Sequence, residues 1–195
     1  MHGLINRAIQ AFVCSTYGES RWRDVTDSAG LGFSEFEAML IYTDEQSQQL
    51  LVAMEEVLER PLNEMLEDMG TFLVSNPQVE ALRRLLRFGG VSYVEFLHSL
   101  DDLPDRARLA VADLHLPGLE LIETAPGQFK LLCQSGLPGY ANVMMGVLRA
   151  MADDYGDLVI LEHSGTQDGA EVISVMLVET EFAAGRAFDL GAKLQ

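Results

Sequence analysis

The apolar residues of this chain change their spacing near Pro104, and that change limits the fold more than any other feature. Ahead of it they recur three and four residues apart, the period of amphipathic helices. Beyond it they alternate, in stretches bounded by Gly and Pro, as strands do, with one helical stretch between two such pairs. A helical block followed by a strand block predicts an α+β domain.

Leu4, Ile5, Ala8, Ile9, Phe12, Val13 and Thr16 fall on one helical face that stops near Tyr17-Gly18. A second helix is expected from Ser20 to Ala29, broken by Gly30 and Gly32. Asp44 is the expected N-cap of a helix carrying Leu50, Leu51, Met54, Val57 and Leu58, and Pro61 opens the next one, toward Phe72. Asn76-Pro77 starts a helix through Leu82, Leu85 and Leu86, ended by Gly89-Gly90. Ser92 with Glu95 forms a capping box, which predicts a helix to about Leu103 with Tyr93, Leu97, Leu100 and Pro104 on its buried stripe and Pro104 at its exit.

Strands are predicted at Leu119 to Thr124 and Phe129 to Gln134, a helix from Tyr140 to Tyr155, and a hairpin of Leu158 to His163 with Glu171 to Glu179 around Gly165 to Gly169. The order predicts a four-stranded antiparallel sheet with a packed helix. Residues 1–195 read as one domain, with a helical part at 1–60 and a helix plus ββαββ part at 61–195.

With 48% hydrophobic residues and mean hydropathy +0.11, the chain has the material for a core. The 30 acidic residues outnumber the 13 basic ones, and the net charge of −17 repels phosphate backbones and anionic lipid surfaces. No nucleic acid or membrane partner is expected. No apolar run reaches the length of a membrane span, Arg7 interrupts the first apolar stretch before it resembles a signal peptide, and the expected location is the cytoplasm. Cys14 and Cys133 are expected as free thiols.

Enzyme signatures are missing: there is no phosphate loop, nucleophile elbow or H-E-x-x-H. The pairs Asp101-Asp102 and Asp153-Asp154 read as solvated acids, and Arg83, Arg84 and Arg87 as a solvated helix face. His2 and His163 read as surface residues, His98 as a solvent-exposed or capping residue, and the methionines, Met144-Met145 included, as core filling that also suits an adaptable pocket.

Several segments carry a family resemblance. Met1-His2-Gly3-Leu4-Ile5-Asn6 is followed by Tyr17-Gly18 and Trp22, then Tyr42-Thr43-Asp44-Glu45, Leu66 to Phe72, Leu85 to Gly90, and Glu95-Phe96-Leu97-His98-Ser99-Leu100-Asp101-Asp102-Leu103-Pro104-Asp105-Arg106. In order and spacing these resemble the haem nitric oxide/oxygen binding (H-NOX) domains, from residue 1 to about Asp157. The resemblance implies a helical N-terminal part joined to a four-stranded antiparallel sheet, and a haem held by a histidine, a Tyr-x-Ser-x-Arg motif on the propionates, and a proline packed on the porphyrin.

Position by position, Pro104 stands where the family has its iron-binding histidine. Cys133 replaces the tyrosine, Ser135 is kept, and Leu137 replaces the arginine. Leucine offers no fork for a carboxylate, and an unpaired buried charge costs several kcal/mol. Haem is therefore expected to bind weakly or not at all in the family's mode. Ile5 and Pro117 match pocket positions, and Leu97, Leu100 and Val147 are expected beside them around an apolar cavity. The fallback axial ligands are His115, in a connecting segment, or a cysteine, Cys14 or Cys133.

The sequence thus points to a non-enzymatic signalling module with a degenerate haem site that senses an apolar ligand or acts through a partner. By resemblance that partner is a separate signalling protein such as a histidine kinase or a diguanylate cyclase, the outputs of two-component and cyclic-di-GMP signalling. The alternative is a haem-based nitric oxide sensor with a substitute ligand.

Overall fold

The computed structural model describes residues 1–76 and 80–178. Two helices lead: α1 (Gly3–Tyr17) and α2 (Glu19–Ser28), separated by Gly18 at φ 92°. α3 (Asp44–Leu58) and α4 (Leu62–Ser75) come after them. The N-cap of α3 is Thr43 rather than Asp44. Its hydroxyl accepts from the Gln46 N–H while the Gln46 side chain accepts from the Thr43 N–H, a closed capping box that leaves Asp44 in the first turn. Asn76-Pro77 as a helix start lies partly outside the described residues; α5 spans Glu80–Arg87.

The largest departure from expectation comes next. α6 (Tyr93–His98) is short, a 3₁₀ turn covers Leu100–Asp102, and a further helix, α7 (Leu103–Ala110), begins where the sequence predicts a helix to end. Pro104 thus sits in the first turn of a helix, where its missing N–H is not needed, rather than at a helix exit. The break has local causes. Pro104 cannot donate to Leu100, whose carbonyl instead takes the Leu103 N–H in 3₁₀ fashion. Ser99 Oγ donates back to the Phe96 carbonyl at 2.7 Å, and Arg106 Nη2 donates to the Ser99 carbonyl at 2.7 Å. Asp101 Oδ1 accepts from Leu121 N at 2.8 Å, tying the turn to the sheet.

β1 (Leu119–Ala125), β2 (Gln128–Cys133), α8 (Tyr140–Tyr155), β3 (Val159–Gln167) and β4 (Ala170–Leu177) complete the domain. All pairings are antiparallel, in the order β1-β2-β4-β3. β3 runs beyond the predicted His163, because Asp168 and Gly169 both take positive φ (50° and 85°) and close a two-residue hairpin turn. The predicted end of the last strand, Glu179, lies outside the described residues.

Two large hydrophobic clusters form, with a small third of Leu132, Ala170 and Val172 on the sheet. One gathers α1, α2, α3 and Met65, Leu66 and Met69 of α4; the other packs α8 and α6 against Phe129, Leu131, Ile173 and Val175 of the sheet. The helices α4 and α8 join them. A Cβ on Gly70 would strike the Val143 carbonyl, and one on Gly146 would strike the Glu67 carbonyl, so the two backbones meet directly. Thr71 Oγ donates to the Gly146 carbonyl at 3.4 Å across the joint.

Two expected solvent faces are structural. Arg83 pairs with Asp154, Arg87 Nη1 lies 3.5 Å from the same carboxylate, and the Arg87 guanidinium stacks 4.1 Å from the Tyr155 ring centroid. Asp154 is only 12% exposed between them. No helix among the described residues is long and apolar enough to cross a membrane.

Candidate functional site

An apolar cavity of about 230 Å³ lies where α1, α4, α7 and α8 converge. Leu4, Ile5, Ala8 and Ile9 of α1 face it; Leu66, Met69 and Leu73 come from α4, and Tyr140, Val143, Met144 and Val147 from α8. Leu103 opens the fourth wall, continued by Leu114, Leu116, Leu137 and Pro138. Each helical set repeats at three and four residues, so one face of each helix is committed to this space. Beside it is a polar recess of about 380 Å³, bordered by His2, Asp44, Gln48, Asp113 and His115 and sharing Met1, Ile5, Leu137 and Pro138 with the cavity.

The structure brings Ile5, Leu137 and Val147 together at the cavity. Leu97 and Leu100 do not line it; both are fully buried in the sheet-side cluster. Pro104 is half-buried beside Leu103, which supplies the wall in its place, and Leu114 and Leu116 supply it where Pro117 was expected. Cys133 faces α8 from the inner side of the sheet, and Ser135 is exposed beyond the strand end.

The candidate substitute ligands are dispersed. Burial, with Glu171 adding to it, pushes the Cys133 thiol up to about 12, so it is no thiolate at neutral pH. Burial, then Glu19, also raises Cys14. His115 is exposed at the recess with Nδ1 3.0 Å from the Asp113 carbonyl. His98 stands edge-on to Phe129, and His163 Nε2 lies 2.9 Å from Glu171. Among the described residues no three His, Cys, Asp or Glu side chains group as metal ligands.

His2 differs from its expected surface role. It is 6% exposed, and its Nδ1 accepts from the Leu4 N–H at 3.2 Å as the N-cap of α1. No sequence rule flagged it, because histidine is not a usual N-cap. Tyr140 was also missed as a wall residue; its Oη is buried with no hydrogen-bond partner, and burial holds its phenol well above the ordinary range. The stripes Leu66-Met69-Leu73 and Tyr140-Val143-Met144-Val147 are the signal that would have found the α4 and α8 walls.

A sequence model described as haem-NO-binding (HNOB) matches residues 2–163. The chain belongs to the haem-NO-binding family. Its curated relatives include two soluble guanylate cyclases of Caenorhabditis elegans: gcy-31, 24% identical over 154 residues (79% of this chain, 22% of that protein), and gcy-32, 28% identical over 163 residues (82% and 24%). The haem-NO-binding chain therefore spans less than a quarter of those proteins. Among solved structures it superposes on the Fe(II) unliganded H-NOX protein from K. algicida with a TM-score of 0.77 at 14% identity, covering 92% of this chain and 97% of that one. The S. oneidensis H-NOX protein in the Fe(II)NO state gives 0.72 at 16% identity, covering 92% of this chain and 100% of that one. The fold of this family member is the H-NOX fold.

Haem in the family's mode does not fit the side chains present. Pro104 has no donor atom for iron, and the wall at Leu137 is hydrocarbon where a propionate needs a cation. The volume of about 230 Å³ also falls below the range of pockets for drug-sized ligands.

Proposed function

We propose that this haem-NO-binding chain is a non-enzymatic sensor module that works without haem, takes a small apolar molecule in its cavity, and passes the state of that cavity to a separate signalling protein. The observation that carries the reading is the aliphatic wall at Leu137, which provides space for hydrocarbon and no cation for a carboxylate. By family resemblance the partner is a histidine kinase or a diguanylate cyclase. The surface most directly tied to the cavity is α7, whose Leu103 touches it and whose Arg106 reaches the Ser99 and Leu85 carbonyls. The alternative, a nitric oxide sensor ligated through His115, draws no support from an exposed ring held at the Asp113 carbonyl.

A repair series tests the degenerate site. Pro104→His alone is expected to leave haem occupancy low, since Leu137 and Cys133 still give the propionates no partner. Adding Leu137→Arg and Cys133→Tyr is expected to raise it. Full occupancy in the single variant, read from the Soret absorbance per protein, contradicts the reading.

A further inference from the structure

The cavity is not uniformly greasy at its mouth. Met1, Ile5, Leu137 and Pro138 border both it and the polar recess, so a molecule lying in the cavity presents one end to the recess. His2 borders that recess with only 6% of its surface exposed. A ring that accepts the Leu4 N–H at Nδ1 carries its proton on Nε2. That N–H makes no hydrogen bond to another described residue and is not sealed from solvent, so it is open to a molecule at the recess.

The other groups of the recess set the charge of what it takes. The N-terminal ammonium is already engaged, donating to the Tyr42 carbonyl at 2.6 Å and to Asp44 at 3.2 Å. Asp44, Asp113 and the Gln48 side chain supply acceptors. The ammonium offsets Asp44, which leaves the Asp113 carboxylate as the uncompensated charge among the described residues that line the recess; it repels an anionic head, while a neutral group that accepts from His2 or the Gln48 amide and donates to a neighbouring acceptor is satisfied. At roughly 30 Å³ per water-sized group, the cavity of about 230 Å³ holds on the order of eight methylene-sized groups.

We infer that the site takes a single-chain neutral amphiphile, its aliphatic tail among the leucines and its hydroxyl or amide head accepting from His2 Nε2–H. This rests on the haem-free reading above and adds the ligand's class and its anchoring residue.

Calorimetric titration of the full chain with 1-octanol, 1-octene and octanoate tests it. The wild type is expected to bind octanol about fivefold tighter than octene, the worth of one hydrogen bond, with octanoate the weakest of the three. His2→Asp keeps an acceptor for the α1 cap but removes the donor, and is expected to bring octanol to parity with octene. Val143→Phe, which fills the cavity from α8, is expected to weaken octanol and octene together; thermal melting verifies that both variants are folded. Equal octanol and octene affinities in the wild type overturn the anchor at His2 but leave an apolar-ligand sensor standing. Tighter octanoate overturns the neutral head, unchanged octanol affinity in Val143→Phe overturns the placement, and failure of both octanol and octene to bind overturns the apolar-ligand sensor as well.

Discussion

On one face α4 and α8 touch backbone to backbone at Gly70 and Gly146; on the adjoining face of the same turns they line the cavity with Leu66, Met69, Leu73, Val143, Met144 and Val147. The crossing admits one residue type at each glycine, because any Cβ meets a carbonyl. The cavity wall asks only for hydrocarbon of roughly the right bulk. A fold can therefore keep its joint and its void while the polar anchors at the rim are replaced. That Pro104, Cys133 and Leu137 stand at the family's iron-binding and propionate positions, as proposed above, requires no loss of the architecture around them.

Breaking the joint is expected to have the largest effect. Gly146→Leu forces the α8 backbone off α4 and is expected to cost about 3 kcal/mol, measured by denaturant unfolding; a cost below about 1 kcal/mol shows that the crossing is not the tight element.

An alkaline effect of comparable size is expected on the sheet side of the core. The Cys133 thiol is raised from 9.0 to about 12 in the folded chain, so the native state holds the proton longer than the unfolded one. Its contribution is complete below pH 9 and disappears as pH rises toward 12, at up to about 1.4 kcal/mol per pH unit. Cys133→Val is expected to flatten the loss of stability over that window; an unchanged slope contradicts the burial argument. Tyr93 and Tyr140, also raised by burial, keep some slope in the variant.

On the loose side of the comparison, Ala8→Leu adds bulk into the cavity and is expected to change stability by no more than about 1 kcal/mol, in the stabilising direction. A loss matching that of Gly146→Leu would erase the distinction between joint and wall. The smallest effect is expected at a partly covered ion pair: Asp154→Asn, between the half-exposed Arg83 and Arg87, is expected to cost about 0.5 to 1 kcal/mol, more at low salt than at high.

The period switch and the glycine and proline boundaries were enough to read the α+β class, the sheet and most helices, because hydrophobic spacing and backbone stereochemistry are local properties. The α6–α7 break was not legible. It depends on Arg106 reaching back to the Ser99 carbonyl and on Asp101 holding Leu121, contacts that no window of sequence displays. The same limit applied at the site. Leu97 and Leu100 share a helical stripe with Tyr93, and the stripe faces the sheet-side core rather than the cavity, since the break after His98 re-aims the next helix. The motif alone suggested Pro104, Cys133 and Leu137 as the family's haem-holding positions, an expectation the repair series tests, whereas the caps at Thr43 and His2 required the fold.

Whether the cavity serves hydrocarbon or haem is decided most directly by the visible absorption spectrum of the wild-type chain, produced with ample haem and then titrated with it. A cavity built for hydrocarbon gives no Soret band approaching one haem per chain, and a spectrum that nitric oxide leaves unshifted. A stoichiometric Soret band that shifts on addition of nitric oxide would contradict the haem-free account.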